Sequence, residues 1–289
     1  MLLFGGSGQL GSALQRTLDG RWQIDAPASS VVDLTNESSL REYVANAKPD
    51  AVVNASAYTK VDDAEQAREL AVAINATAPR CMAVAARELN APFFHVSTDY
   101  VFDGTGDVPF ATSAPTRPIN VYGESKRMGE VAILEADPSA VVIRTAWLHS
   151  GGGTNFVATA VRLLSAGKSM RVVDDQVGTP THASHLARAI DALLQRPAGG
   201  GMMHFTDSGV ASWYDVACCV LETLQERGKA KDAHVIPVGS EEYPRPARRP
   251  RVSILNAHDC WRAIDWTPPH WRHGVRASTL ELLGESTDA

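Results

Sequence analysis

The chain has little of what would assign it to a membrane, a nucleic acid or a disulfide scaffold. Only four of its 289 residues are cysteines, Cys81, Cys218, Cys219 and Cys260. None has metal-ligand spacing, and adjacent Cys218-Cys219 in a helical pattern reads as core packing in a reducing compartment. Apolar runs stay far below the roughly 18 residues that a membrane span needs. Met1 leads straight into an apolar strand, so no secretory leader is expected. Lysine and arginine form no block, and a net charge of −6 with pI near 5.8 offers no footprint for nucleic acid. There is no long acidic tail, no internal repeat and no low-complexity tract. A cytoplasmic protein is expected, with no nucleic-acid or membrane partner. What remains is a chain 44% hydrophobic and 21% charged. Over this length that suffices for a real core, in one large α/β unit or two lobes.

Glycine is where the chain is informative. Met1-Leu2-Leu3-Phe4 is a short apolar strand, Gly5-Gly6-Ser7-Gly8-Gln9-Leu10-Gly11 follows, and Ser12 to Leu18 has helical periodicity. Strand, glycine turn and helix stand in the order of a dinucleotide fingerprint, here spaced G-x-x-G-x-x-G. Gly5 permits the tight turn, Gly8 lets backbone approach a pyrophosphate, and Gly11 lets the helix pack on the strand. Trp22–Asp25 reads as a second strand. Asp25 lies about 20 residues past Gly5, where an acid binds a ribose 2′-hydroxyl and favours NADH. Ser29 and Ser30 offer hydroxyls to a 2′-phosphate instead, so NADH and NADPH both stay open. Val31–Thr35 reads as a further short strand-to-turn segment. Within it, Asp33 suits either an adenine amino group or a helix cap.

The next elements are read from periodicity. A helix is expected from about Glu37 to Ala47, a buried strand over Asp50–Ala57, and a helical stretch from about Asp62 to Asn90 broken near Pro79. Pro92–Phe102 is a strand that ends in polar groups. Ligands bind beyond the carboxyl ends of strands in an open α/β sheet, so Thr98 is a candidate hydrogen-bond donor to a substrate oxygen. His95 reads as a core strand residue. A turn-rich loop, residues 104–118, precedes Tyr122-x-x-x-Lys126. At the start of a helix running to about Ala136, those two side chains share a face one turn apart. An ammonium beside a phenol lowers its pKa from about 10, so proton exchange near neutral pH is expected. Alone, such a pair also fits a solvated helix surface. Ala140–Trp147 is a strand with Trp147 at its end, suited to floor a sugar or base pocket or to pack in the core.

The later chain reads as helices near Phe156–Ala166, His185–Leu194, Trp213–Arg227 and Trp271–Leu283, alternating with short strands. Arg245, Arg248, Arg249 and Arg251 cluster in a proline-rich segment. They suit a diphosphate, since guanidinium grips phosphate oxygens in a fork, or form a solvated basic loop.

Taken together, Gly5-x-x-Gly8-x-x-Gly11, Asn54-Ala55-Ser56-Ala57, Ser97-Thr98-Asp99-Tyr100-Val101-Phe102 and Tyr122-x-x-x-Lys126 resemble the extended short-chain dehydrogenase/reductases, over nearly the whole chain. The resemblance implies a doubly wound parallel sheet (Rossmann) in residues 1–150. Residues 151–289 would be mainly a smaller substrate lobe, interleaved with the first. It implies NADPH, with NADH also possible, and reduction of the 4-keto group of a dTDP-sugar. Thr98, Tyr122 and Lys126 would be catalytic. Gln9, Leu10, Asp33, Leu34, Ser56, Ala57, Tyr122 and Lys126 would touch cofactor, and Thr59, Val61, Asp99, Tyr100 and Trp147 would line the sugar pocket. Asp175-Gln176-x-Gly178-x-Pro180-Thr181 would face the nucleotide half of the substrate. An Arg-Pro match singles out Arg249 for substrate. The related dehydratases carry Asp-Glu after the threonine; Tyr100 replaces the second acid here, which argues against expelling water. Some relatives hold Mg2+ at a dimer contact through carboxylates. The matching positions here are Ala13, Ser184 and Glu281, and neutral groups do not replace carboxylates for a hard cation. That speaks against Mg2+ and leaves a monomer or weak homodimer. A reductase or epimerase of another nucleotide sugar, or a non-catalytic NADP-binding regulatory subunit of this fold, stays open.

Overall fold

Five parallel strands form the central sheet in the spatial order β1 (Leu2–Phe4), β2 (Val52–Asn54), β3 (Phe93–Thr98), β4 (Val141–Thr145) and β5 (Gly201–His204). This computed structural model describes residues 1–196 and 199–285. The main helices are α1 (Gln9–Leu18), α2 (Glu37–Ala47), α3 (Ala78–Glu88), α4 (Val121–Ala136), α5 (Phe156–Ser165), α6 (Ala183–Leu194), α7 (Trp213–Glu226) and α8 (Trp271–Leu282). Strand side chains alternate between faces, so each strand feeds two cores. Leu3, Val53, Phe94, Val141 and Ile143 pack against α1 and α6. Leu2, Phe4, Val52, Phe93 and Val142 pack against α2, α3 and α4. Helices on both faces of a parallel sheet make the fold doubly wound, as the motif order implied.

Two expected strands dissolve. Trp22–Asp25 contributes a single parallel bridge, Asp25 beside Leu2, with Leu3 N–H donating to the Asp25 carbonyl at 2.8 Å. Val31–Thr35 forms turns and no strand. There the Asp33 carboxylate accepts from the Thr35 amide (2.9 Å) and hydroxyl (2.7 Å). Such a side-chain turn outcompetes extended pairing.

The stretch expected to break near Pro79 comes as helices Val61–Ala64 and Arg68–Val72, a wide π turn Ala73–Thr77, and α3. Proline has no N–H to donate four residues back and crowds the carbonyl there, which is that of Asn75. The freed carbonyl meets α4 at Gly129, where a Cβ would lie 2.1 Å from it. The Asn75 side chain accepts from Tyr58 N–H (2.8 Å) and donates to Ser125 (2.9 Å). The break therefore seats α4, the helix that carries Tyr122 and Lys126.

A third core joins α5, α7 and α8 with Met170 and Val172, which lie on a strand paired in parallel with Val235–Val238. Between α5 and α7 the chain returns to the sheet as α6 and β5. Among the described residues no helix is long and apolar enough to cross a membrane. All four cysteines are free thiols.

Candidate active site

A cleft of about 690 Å3 opens over the carboxyl ends of the sheet strands. One wall is the glycine turn. Gly5 has φ +82°, and a Cβ there would stand 2.6 Å from the Ser56 amide nitrogen. A Cβ at Gly11 would lie 2.1 Å from the Gly5 carbonyl. Gly11 itself is buried behind the cleft and sets how closely α1 meets the turn. At Gly8 the helix starts with no side-chain cap and no acid in its first turn. Its first amides and positive dipole end are left for an anion. Ser7, Gly8, Gln9 and Leu10 line this wall, with Ala55, Ser56 and Ala57 beyond β2. That cradle fits the diphosphate of a dinucleotide. Gln9 Oε1 also accepts from Ser150 (3.1 Å) and Asn155 (2.9 Å), tying the turn to the start of α5.

The facing wall comes from β3 and α4. Asn120 caps α4 by accepting from Gly123 N–H at 2.8 Å, which starts the helix at Val121 and puts Tyr122 and Lys126 on its cleft face. Thr98, Asp99, Tyr100, Tyr122 and Lys126 all line the cleft, as do Thr59, Val61 and Trp147. The Thr98 side chain is near enough to Tyr122 to act on its phenol. The Thr98 hydroxyl proton goes to Asp99 Oδ1 at 3.0 Å. The Tyr100 ring meets Tyr122 edge-on at 5.8 Å.

The electrostatics correct one expectation. Tyr122 is not lowered: burial, its largest cause, pushes the phenol up to about 12, with the Asp99 charge adding to it and the Thr98 contact opposing. The Lys126 Nζ is held by His95 Nε2 (3.0 Å) and the Val96 carbonyl (2.7 Å). Lys126 is itself brought down to about 7 by burial, against the Glu130 charge. Burial likewise raises Asp99 to about 6. His95 is a core strand residue as expected, yet it is also bonded to the lysine.

Five of the proposed residues stand outside the cleft. Gly11 is behind it. Asp25 is exposed and accepts from the Tyr43 hydroxyl at 3.1 Å. Asp33 is committed to Thr35, whose hydrogen bonds hold its carboxyl below the usual range. Leu34 packs on the core of α2 and α3. Arg249 pairs with Asp62 at 2.9 Å. In the 175–181 segment only Pro180 lines the cleft; Asp175 is bonded to Ser240.

Several lining residues escaped the sequence reading. Trp213 stacks on Trp147 with centroids 3.7 Å apart and planes 7° apart, and Phe156 meets Trp213 edge-on. Trp147 sits at φ +47°, so its ring leaves the strand direction to make that stack. His149, Asn155 and Val216 also line the cleft. A signal existed for Trp213, an aromatic directly after the helix-capping Ser212, but nothing local pairs it with Trp147.

A dinucleotide cradle facing a tyrosine, lysine and threonine at the strand ends defines an oxidoreductase of the short-chain dehydrogenase/reductase class. The chain belongs to the RmlD substrate binding domain family, whose model matches residues 1–283. The dTDP-4-dehydrorhamnose reductase of Escherichia coli (strain K12) is 38% identical, covering 98% of both chains. A probable dTDP-4,6-dihydroxy-2-methyloxan-3-one 4-ketoreductase of Streptomyces antibioticus is 39% identical, over 98% of this chain and 95% of its own. The crystal structure of dTDP-4-dehydrorhamnose reductase from Bacillus anthracis in complex with NADP is similar at TM-score 0.89 and 33% identity, covering 97% of this chain and 98% of that one.

Proposed function

We propose that the protein reduces the 4-keto group of dTDP-4-dehydro-L-rhamnose to give dTDP-L-rhamnose, with NADPH as reductant. The observation that carries this reading is the meeting of Tyr122, Thr98 and Lys126 with the uncapped glycine turn in one cleft. Bound there, reduced nicotinamide would supply the hydride that the sugar C4 needs. The Tyr122 hydroxyl gives its proton to the oxygen that becomes an alkoxide. A phenol at about 12 is fully protonated at neutral pH, and an alkoxide is the stronger base, so the transfer runs downhill. Thr98 turns its hydroxyl from Asp99 to the same oxygen as charge develops on it. Lys126 would hold the nicotinamide ribose. The stacked indoles of Trp147 and Trp213 form an apolar wall for the sugar. The exposed turn at Ser29 and Ser30 suits a 2′-phosphate, while Asp25 is taken up by Tyr43. The protein works as a monomer or weak homodimer.

The Streptomyces antibioticus relative is as similar as the rhamnose enzymes, which favours one second reading, a 4-ketoreductase of another dTDP-sugar. Following NADPH oxidation with a panel of 4-keto dTDP-sugars separates the two. Tyr122→Phe is expected to keep cofactor binding and lose at least about a hundredfold in turnover. Near-normal turnover in that variant would refute the assignment of Tyr122.

A further inference from the structure

The lysine sits at the end of a hydrogen-bond chain whose direction is fixed from its far end. Asn54 Oδ1 accepts from the Ser56 backbone N–H at 2.9 Å and from the Ser56 hydroxyl at 2.5 Å. A backbone N–H only donates, so the Asn54 oxygen must face Ser56 and its NH2 must face the other way. That NH2 stands 3.0 Å from His95 Nδ1, which is therefore an acceptor. The neutral ring has one proton, now left to Nε2. Nε2 lies 3.0 Å from Lys126 Nζ, so Nζ must offer a lone pair. An ammonium has none. The amine still donates to the Val96 carbonyl at 2.7 Å and keeps one hydrogen free.

We propose that His95, oriented by Asn54, is a positioning residue that holds Lys126 as a neutral amine in the cofactor-free protein, so that cofactor binding is coupled to uptake of a proton by Lys126. The inference rests on the nicotinamide-cofactor reading above. The proton comes from the buffer and adds to the Nζ lone pair. The contact with Nε2–H is then donor to donor, and the ammonium turns to the hydroxyl and phosphate oxygens that a dinucleotide brings into the cleft. The groups around Nζ are His95 and the Val96 carbonyl from β3, and Tyr122 and Glu130 on its own helix, with Asn54 of β2 behind the ring. Glu130 favours the charged form, but its carboxylate is bonded to Arg144 at 2.7 Å. Burial opposes charge on both partners: it brings Lys126 to about 7 and holds His95 well below its ordinary value.

The test is calorimetric titration of NADPH into the full-length protein at pH 8, in buffers of different ionisation enthalpy. At that pH the 2′-phosphate is already a dianion, with its second pKa near about 6, and Asp99 is ionised. A group titrating near 7 is about nine-tenths unprotonated there, so uptake should approach 0.9 proton per NADPH. Two variants remove the constraint by different routes. In His95→Gln an amide oxygen accepts from the ammonium. In Asn54→Asp the second carboxylate oxygen accepts Nδ1–H, which frees Nε2 to accept from Lys126. Both should bind NADPH with uptake falling toward zero. Wild-type binding without proton uptake overturns the proposal, as does uptake of wild-type size in either variant. If His95→Gln fails to fold, the wild-type and Asn54→Asp titrations decide. Absence of any NADPH binding would instead overturn the functional reading from which this one departs.

Discussion

Replacing Glu130 by glutamine tests what fixes α4, the helix that carries Tyr122 and Lys126. Glu130 is fully buried on α4, and its carboxylate takes a two-pronged grip from Arg144, Nε and Nη2 both at 2.7 Å. It also accepts from Ser97 at 2.7 Å and from Arg127 at 3.4 Å. Glutamine keeps one acceptor oxygen but turns an NH2 toward the guanidinium. Arg144, itself 2% exposed, is then left charged with no carboxylate to neutralise it; besides the glutamine oxygen it has only the Thr112 carbonyl, His204 and the Phe102 ring face beside it. Breaking a buried pair from one side costs about 3–5 kcal/mol. At this chain length that is a fall in Tm of about 5–8 °C. Urea unfolding followed by the fluorescence of the six tryptophans measures it directly. The double variant Glu130→Leu, Arg144→Met removes both charges, so it should lose at least about 2 kcal/mol less than the two single losses added. A loss under about 1 kcal/mol in Glu130→Gln, or full additivity in the double variant, would refute the reasoning. Ser97 precedes Thr98 and Lys126 lies one turn before Glu130, so turnover should fall with stability.

Two further outcomes follow from the same geometry. Gly129→Ala, a change worth about 0.5–1 kcal/mol of stabilisation in an exposed helix, should instead destabilise by about 1–3 kcal/mol, because its Cβ would lie 2.1 Å from the Asn75 carbonyl; a raised urea midpoint would show that α4 and the wide turn are not in close contact. Asp99 is an acid whose folded pKa, about 6, lies above its ordinary 3.8, so the folded state binds its proton more tightly than the unfolded state. Its contribution to stability is fully present below about pH 4 and is lost as pH climbs through 4 to 6. The Tm difference between Asp99→Asn and wild type should accordingly move in favour of the variant over that window, and a difference constant from pH 3 to 8 would contradict the buried-carboxylate account.

The legible parts of the site were those set within a few residues. The glycine turn follows from backbone freedom at Gly5 and close approach at Gly11, and both are visible in spacing. Tyr122 and Lys126 needed only a helix start, which Asn120 supplies. The α2 boundaries came out as expected because periodicity and capping are local. Val31–Thr35 misled because its apolar residues suggested pairing while Asp33 was closing a turn on Thr35. Asp25 kept the expected sequence distance from Gly5 but lies outside the cleft, bonded to Tyr43.

The order of strands and helices, the phosphate cradle and the placing of a phenol and an amine on one helix face were written in the sequence, because each depends on neighbours along the chain. Folding alone decided the states of those groups. Lys126 meets a histidine 31 positions away, Gln9 meets an asparagine 146 positions away, and Trp147 finds its partner at the start of α7. Spacing says nothing of burial, and burial is the largest cause of the upward shift at Tyr122 and of the downward one at Lys126. The charge carried by Tyr122 and Lys126 is thus a property of the packed interior and not of the motif.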